Sequence, residues 1–279
     1  MPYAPNLYDS HMHSPLCKHA RGLPSDYAAQ AQRVGLRGIT FTCHSPMPFG
    51  WNPKARMSIQ QLPQYFDMVA RARDEYAERV DVRLGLESDY LPGFEGWLDK
   101  LHRRADFSYI LGSVHPQTDE YKLLYLQGKT RLEYEVSYFE NLARAAESGL
   151  FDCLSHPDIV KIVHPSLYKY ADHSAVICRS LDRIARADAA MELNTSGLHK
   201  PYPQMNPGPE ILAEMAQRGI PVVLGSDSHD AHRVGADFDK ALAQLQKAGY
   251  ERVSYFIDRQ RHELPIREVS LAARQPVLV

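Results

Sequence analysis

The sequence predicts an α/β barrel of the TIM-barrel kind, a closed or nearly closed ring of seven parallel strands each followed by helical material. Three observations predict it. Short apolar and β-branched runs alternate with segments of helical period; no Gly-rich dinucleotide turn marks an open doubly wound sheet; and a polar, ligand-like residue follows nearly every strand run. With 279 residues, one such barrel accounts for the chain as a single domain spanning 1–279.

The strand runs are Asn6 to Tyr8, Gly38 to Thr42, Val82 to Leu86, Phe107 to Leu111, Phe151 to Leu154, Ala190 to Leu193 and Val222 to Leu224. Helical periodicity covers Ser25 to Val34, Ser58 to Arg79, Glu95 to Arg104, Leu132 to Ser148, Ser174 to Ala187 and Pro209 to Arg218. Gly35, Gly149 and Gly219 fall where a helix must stop before a strand, a position that asks for left-handed backbone. Tyr134, Tyr138 and Leu142 have the spacing of a buried helix face. The stretches from Pro116 to Arg131 and from Lys161 to Asp172 read as long loops.

Composition excludes some classes of function. With 32 Lys plus Arg against 34 Asp plus Glu, no basic field exists to hold a nucleic-acid backbone, and nucleic acid is not an expected partner. No apolar run reaches the roughly 18 residues of a membrane span, and Met1 to Asp9 has no signal-peptide pattern, so no membrane association and a cytoplasmic location are expected. Cys17, Cys43, Cys153 and Cys178 lack paired spacing and read as free thiols. Oligomeric state leaves no mark in the sequence. Histidine is the outlier: 13 in 279 residues, about twice the ordinary share.

Their placement carries the function. Polar residues follow the strand runs in the order Asp9, His11 and His13; His44; Glu87 and Asp89; His115; His156; Asn194; Asp227 and His229. In a parallel barrel the C-terminal strand ends converge on one mouth, so these residues should meet. His11 and His13, two apart in an extended segment, point the same way, and Asp227 and His229 repeat the device with a carboxylate. Imidazole with carboxylate suits zinc, manganese or iron(II). Six histidines with two acids exceed what one or two ions need, so three divalent ions is the economical reading, with Glu87 bridging two of them. Closely spaced ions activate water and clamp phosphoryl oxygens, which makes phosphoester hydrolysis the expected reaction, with Glu87, Asp227 and His229 at its centre.

The segments Asp9-Ser10-His11-Met12-His13, His19, Thr42-Cys43-His44-Ser45-Pro46, Gly85-Leu86-Glu87, Gly112-Ser113-Val114-His115, His156-Pro157-Asp158, Asn194-Thr195-Ser196-Gly197 and Gly225-Ser226-Asp227-Ser228-His229 resemble the polymerase and histidinol phosphatase (PHP) superfamily, in particular its histidinol-phosphatase branch. The resemblance runs from Tyr8 to about Tyr255. It implies a distorted seven-unit (β/α) barrel, the PHP fold, with a trinuclear metal site. His11, His13, Glu87 and Asp227 would hold the first ion, Glu87, His115 and His156 the second, and His19, His44 and His229 the third. His19 enters only through the resemblance. The implied activity is hydrolysis of a small phosphorylated substrate, L-histidinol phosphate, in histidine biosynthesis. A broader phosphoesterase acting on nucleotides or phosphodiesters, and a non-catalytic metal-binding module, stay open as alternatives.

The sequence departs from that pattern in three places. Cys43 stands where relatives commonly carry Asp before the motif histidine, and it reads either as a lost ligand-orienting carboxylate or as a small packed side chain. His199 followed by Lys200 stands where an arginine is usual. The loop after His115 is short, so its substrate-facing residues cannot be carried over. Lys161, Asn194, Ser196, His199 and Lys200 are the candidate substrate anchors, joined by His232 and Arg233 near the last motif. Asp158 is a candidate to orient a ligand or meet substrate. The Pro46 to Pro53 loop with Trp51 is a candidate pocket wall. His102 and His262 read as solvated; His164 and His173 read as loop histidines near the mouth.

Overall fold

The computed structural model describes residues 6–272, and in them the alternation becomes one sheet of nine strands in chain order. These are β1 (Tyr8–Met12), β2 (Gly38–Phe41), β3 (Asp81–Asp89), β4 (Tyr109–Ser113), β5 (Cys153–Leu154), β6 (Ala190–Asn194), β7 (Val222–Gly225), β8 (Arg252–Ile257) and β9 (Gln260–Pro265). Neighbours from β1 to β8 are parallel, and β9 returns antiparallel to β8. The ring closes where β1 meets β7: the His13 N–H donates to Ser228 O at 2.9 Å and the Ser228 N–H to His11 O at 3.2 Å. At the opposite end β8 pairs with β7 at Val223 and Ser254, and Tyr255 stacks on Tyr8 of β1 with ring centroids 4.5 Å apart. The barrel is therefore distorted, its seam joined by backbone at the mouth and by an added strand and aromatic packing below.

The helices are α1 (Pro24–Val34), α2 (Leu62–Tyr76), α3 (Glu95–His102), α4 (Asp119–Tyr125), α5 (Arg131–Glu147), α6 (Tyr170–Arg186), α7 (Pro209–Gln217), α8 (Phe238–Ala248) and α9 (Ile266–Ala272). Helix α1 packs on α2, and α5 to α9 pack each on the next around the sheet. Gly35, Gly149 and Gly219 take φ of 79°, 67° and 64° at helix ends, the left-handed backbone that glycine adopts without a Cβ penalty. On α5, Tyr134, Tyr138 and Leu142 are buried as their spacing predicts, and the Tyr138 hydroxyl donates to His156 O at 3.1 Å, tying a helix to the mouth. No helix among the described residues is long and apolar enough to cross a membrane.

Several boundaries differ from expectation. The first strand is Tyr8–Met12, not Asn6 to Tyr8: its residues are all buried, Tyr8 and Asp9 pair with Gly38 and Ile39 of β2, and Met12 pairs with Phe41 after an irregularity in the register. Similarly β3 runs on through Glu87 to Asp89. The supposed loop from Pro116 to Arg131 contains α4, capped by Thr118, whose side chain accepts from the Tyr121 N–H. The helix expected from Ser174 begins at Tyr170, inside the second supposed loop. Beyond β7 lie α8, the β8–β9 hairpin and α9. Helix α8 buries Phe238, Ala241, Leu242 and Leu245, a helical stripe that was present in the sequence.

Candidate metal centre

Backbone pairing sets the histidines and acids side by side before any side-chain preference acts. The closure of β1 on β7 makes the His11/His13 pair and the Asp227/His229 pair neighbours across one seam. Beyond β2, His44 continues the ladder as a parallel bridge to Glu87, with the Ser45 N–H donating to Glu87 O at 2.8 Å. His115 and His156 follow the adjacent strands β4 and β5. Two of these residues sit in left-handed backbone, His156 at φ 26° and Asp227 at φ 50°, a conformation costing about 1–3 kcal/mol that the surrounding structure must hold.

The donor atoms converge in two compact sets that share Glu87. In the first, His11 Nε2 and His13 Nε2 lie 3.2 Å apart, His13 Nε2 lies 3.1 Å from Asp227 Oδ1, and His11 Nε2 lies 3.6 Å from both Asp227 Oδ1 and Glu87 Oε2. Ligands about 2.1 Å from a tetrahedral ion stand about 3.4 Å from one another, so this spacing fits a cation. In the second set, Glu87 Oε1 lies 3.2 Å from His156 Nε2 and 3.4 Å from His115 Nε2. His44 Nδ1 is 2.5 Å from Glu87 Oε2 without the alignment of a hydrogen bond. The remaining rings are looser: His19 is 4.5 Å from His229 and 5.4 Å from His44, while His44 and His229 are 6.0 Å apart, all between centroids.

Unmet polar atoms test whether this set suits metal ions. Glu87 Oε2, His13 Nδ1, His44 Nδ1 and His229 Nε2 are buried with no hydrogen-bond partner. A buried carboxylate oxygen left so costs about 1–3 kcal/mol or more, a penalty that a cation facing it removes. Burial alone would raise the pKa of Glu87, but the imidazoles of His44, His11 and His115 outweigh it and hold the carboxyl well below its ordinary range. Burial is likewise outweighed at Asp227 by Lys200 and His11. Two ionised carboxylates ringed by nitrogen donors fit divalent zinc, manganese or iron.

A second layer of acids orients the rings. His11 Nδ1 lies 2.7 Å from Glu192 Oε1, whose other oxygen accepts from the His156 N–H at 2.7 Å and from Asn194 Nδ2 at 3.0 Å. His115 Nδ1 lies 2.5 Å from Asp89 Oδ1, and Arg56 grips Asp89 with Nε at 2.6 Å and Nη2 at 2.9 Å. Both contacts fix the tautomer that leaves Nε2 free for a cation. Asp9 accepts from the Ser226 and Gly235 N–H groups at 2.9 and 2.8 Å, locking the β1–β7 seam. Burial outweighs those bonds and pushes its pKa up to about 6. Glu192 and Arg56 were not among the residues expected from sequence. Glu192 did carry a signal, a lone carboxylate inside an apolar strand; Arg56, in a loop, carried none.

A family model for the PHP domain matches residues 9–196, more than half of the chain. This chain belongs to the PHP domain family. The Deinococcus radiodurans protein named "probable histidinol-phosphatase" is 38% identical over 260 residues, covering 89% of this chain and 96% of its own length. The histidinol-phosphatase of Bacillus subtilis is 28% identical over 263 residues, covering 84% and 97%. Among solved structures, the histidinol phosphate phosphatase of Lactococcus lactis, in complex with zinc, L-histidinol and phosphate, matches with a TM-score of 0.78 at 24% identity, covering 92% of this chain and 99% of that one. At that identity the likeness is one of fold. The PHP match ends before Asp227 and His229, whose place in the cluster rests on the geometry above.

In this PHP domain the cluster opens into a cavity of about 600 Å³, lined in part by His19, His44, Ser196, His199, Lys200 and His229. Ser196 Oγ lies 2.9 Å and Lys200 Nζ 3.2 Å from Asp227 Oδ2, so both reach the cluster. His199, half exposed, pairs with Asp237 at 3.0 Å. Asn194 is buried beneath them, accepting from the Ser196 N–H at 2.9 Å, and acts as a support. Lys161 is not a substrate anchor. Its ammonium is fully buried and donates to Asp158 Oδ2 at 2.9 Å, Gln204 Oε1 at 3.1 Å and Met205 O at 2.7 Å, which uses all three protons. Asp158 is accordingly a structural hub, also accepting from Asn206 Nδ2 at 2.6 Å and the Gly208 N–H at 2.8 Å. His232 is exposed and held by Asp230, outside that cavity, while Arg233 pairs with Asp237 on an adjoining recess.

Other expectations are corrected or completed away from the cluster. His173, expected in a loop, is buried in α6 with Nε2 2.7 Å from Glu135; His164, 3.6 Å from the same carboxylate, is near it. His102, expected to be solvated, is half-buried 3.0 Å from Ser88 Oγ, in a T-shaped contact with Phe151. Cys43 packs as a small side chain: it is fully buried and its Sγ accepts from Ser14 Oγ at 3.1 Å. Cys17 and Cys43 place their sulfurs within 4.8 Å of His13, so two thiols occupy the space beneath that ring. Burial pushes the Cys43 thiol up. Trp51 packs on Phe94 and Phe49.

Proposed function

We propose that this chain is a cytoplasmic metal-dependent phosphatase that hydrolyses L-histidinol phosphate to L-histidinol and phosphate, a step of histidine biosynthesis. The observation that carries the reading is the buried convergence of imidazole nitrogens and two carboxylates, with unpartnered atoms facing one another, at the floor of an open cavity. The named histidinol-phosphatases among its relatives, alike over nearly their full length, support the choice of substrate.

In this reading three divalent transition-metal ions would be held by His11, His13, Glu87 and Asp227; by Glu87, His115 and His156; and by His19, His44 and His229. When bound, they supply the Lewis acidity that activates water and neutralises phosphate oxygens. The protein groups do the positioning. Glu87 presents one oxygen to each of two donor sets, Ser196 and Lys200 occupy the outer oxygen of Asp227 and keep its inner one toward His13, and Lys200 and His199 offer donors to a phosphate oxygen at the cavity wall. Glu192 and Asp89 keep the His11 and His115 rings from rotating.

The test compares kcat/KM for L-histidinol phosphate, other phosphomonoesters and a generic phosphodiester on protein whose metal content is known. Histidinol phosphate should lead by at least about tenfold, the scale of discrimination that one good polar contact gives. A diester turned over as fast would overturn the reading in favour of a broader phosphoesterase.

A further inference from the structure

The cavity is larger than a phosphate group fills, so part of its wall faces the leaving alcohol. Its charges are unevenly matched there. Among the described lining residues the cations are balanced: Arg56 by Asp89, and Lys200 by Asp227. Of the two lining acids, Asp227 has both oxygens engaged, whereas Asp119 has no hydrogen bond or ion pair among the described residues. The adjacent acid shows the contrast, because Glu120 Oε1 accepts from the Asn52 N–H at 2.7 Å and pins the loop after β2 to α4.

Asp119 is held in place. It opens α4 directly after Thr118, whose N–H and Oγ1 donate to His115 O at 3.3 and 3.0 Å, so its position is tied to the backbone of a cluster histidine. A free carboxylate on the wall of a substrate cavity attracts a cation, and in the phosphate ester of an amino alcohol an ammonium lies two carbons from the ester oxygen.

We propose that Asp119 is the specificity-determining counter-ion for the ammonium group of the substrate's leaving alcohol. The inference rests on the histidinol phosphate reading above. A carboxylate at the first position of a helix also favours the helix itself through the backbone dipole, but that role is blind to substrate.

The experiment compares wild type with Asp119→Asn and Asp119→Glu on three esters: L-histidinol phosphate, alaninol phosphate and propyl phosphate, the last two differing by the ammonium. A hydrogen bond to a charged group corresponds to about ten- to a hundredfold, so Asp119→Asn should lower kcat/KM by at least tenfold for both amino esters, mainly through KM. Propyl phosphate should change less than about twofold, and Asp119→Glu should recover part of the loss. L-Histidinol itself should bind at least about tenfold more weakly to Asp119→Asn by calorimetry, a readout without turnover. Equal losses on all three esters, no loss on any, or a wild type with no preference for the ammonium would overturn the proposal. If wild type prefers alaninol over propyl phosphate through Asp119 yet handles histidinol phosphate poorly, the counter-ion role stands and the substrate assignment falls.

Discussion

Glu87 presents its two carboxylate oxygens to two different donor sets, which makes its loss felt further than that of any single imidazole. Glu87→Gln keeps the shape but removes the charge, and should lower kcat by about a hundredfold or more, whereas His19→Ala, at the exposed and looser set, should cost about tenfold. Both effects are read as kcat alongside bound metal per chain; near-normal kcat in Glu87→Gln with full metal content would show that Glu87 does not bridge. Away from the cluster, His102 makes a pH prediction. Burial, with Arg259 nearby, lowers its pKa from 6.5 to about 4. The unfolded chain therefore binds more protons between those values, so the stability contribution is present above pH 6.5 and is lost as pH falls toward 4. His102→Gln, which can still reach Ser88, should narrow the Tm difference between pH 7 and pH 5. An unchanged difference would mean that His102 takes up its proton without cost to the fold.

Adjacent strands show how a single missing side chain lets a support reach its ligand. On β7, a Cβ added to Gly225 would stand 1.9 Å from Glu192 Oε1 and 2.7 Å from His11 Cβ, so the carboxylate of β6 can meet the imidazole of β1 only because glycine lies between them. Gly225→Ala should push Glu192 off His11 and weaken metal binding by about tenfold or more, the usual effect of losing a ligand's orienting partner. Metal titration of the folded variant checks this, and unchanged affinity would show that Glu192 does not govern the His11 ring. At this scale the cluster was legible where chemistry and period coincide. Two histidines two apart, an acid and a histidine two apart, and polar residues ending apolar runs all follow from alternation along a strand. Glu192 and Arg56 escaped because their partners are 181 and 33 residues away. Lys161 misled for the same reason: its acceptors at Gln204 and Met205 close around it only in the fold.

Over the whole molecule, seven parallel units could be read because each strand run ended in a turn signal or a ligand-like residue. The eighth and ninth strands could not. β8 buries Val253, Ser254 and Phe256 but no ligand-like residue ends it, while β9, with Arg261 and Glu263 exposed, carries no core pattern; together they form a hairpin that extends the sheet below the mouth. What the barrel delivers as a unit is convergence, with residues from seven strand ends meeting in a core whose polar atoms remain partly unmatched. In the proposed reaction those atoms face metal ions during phosphate-ester hydrolysis. The direct measurement is metal stoichiometry followed in parallel with phosphate release from L-histidinol phosphate, through stringent chelation and then re-addition of zinc, manganese or iron. Between two and three ions per chain, activity that disappears with the ions and returns with them, is the predicted result; full activity with fewer than two ions, or after their removal, would contradict it.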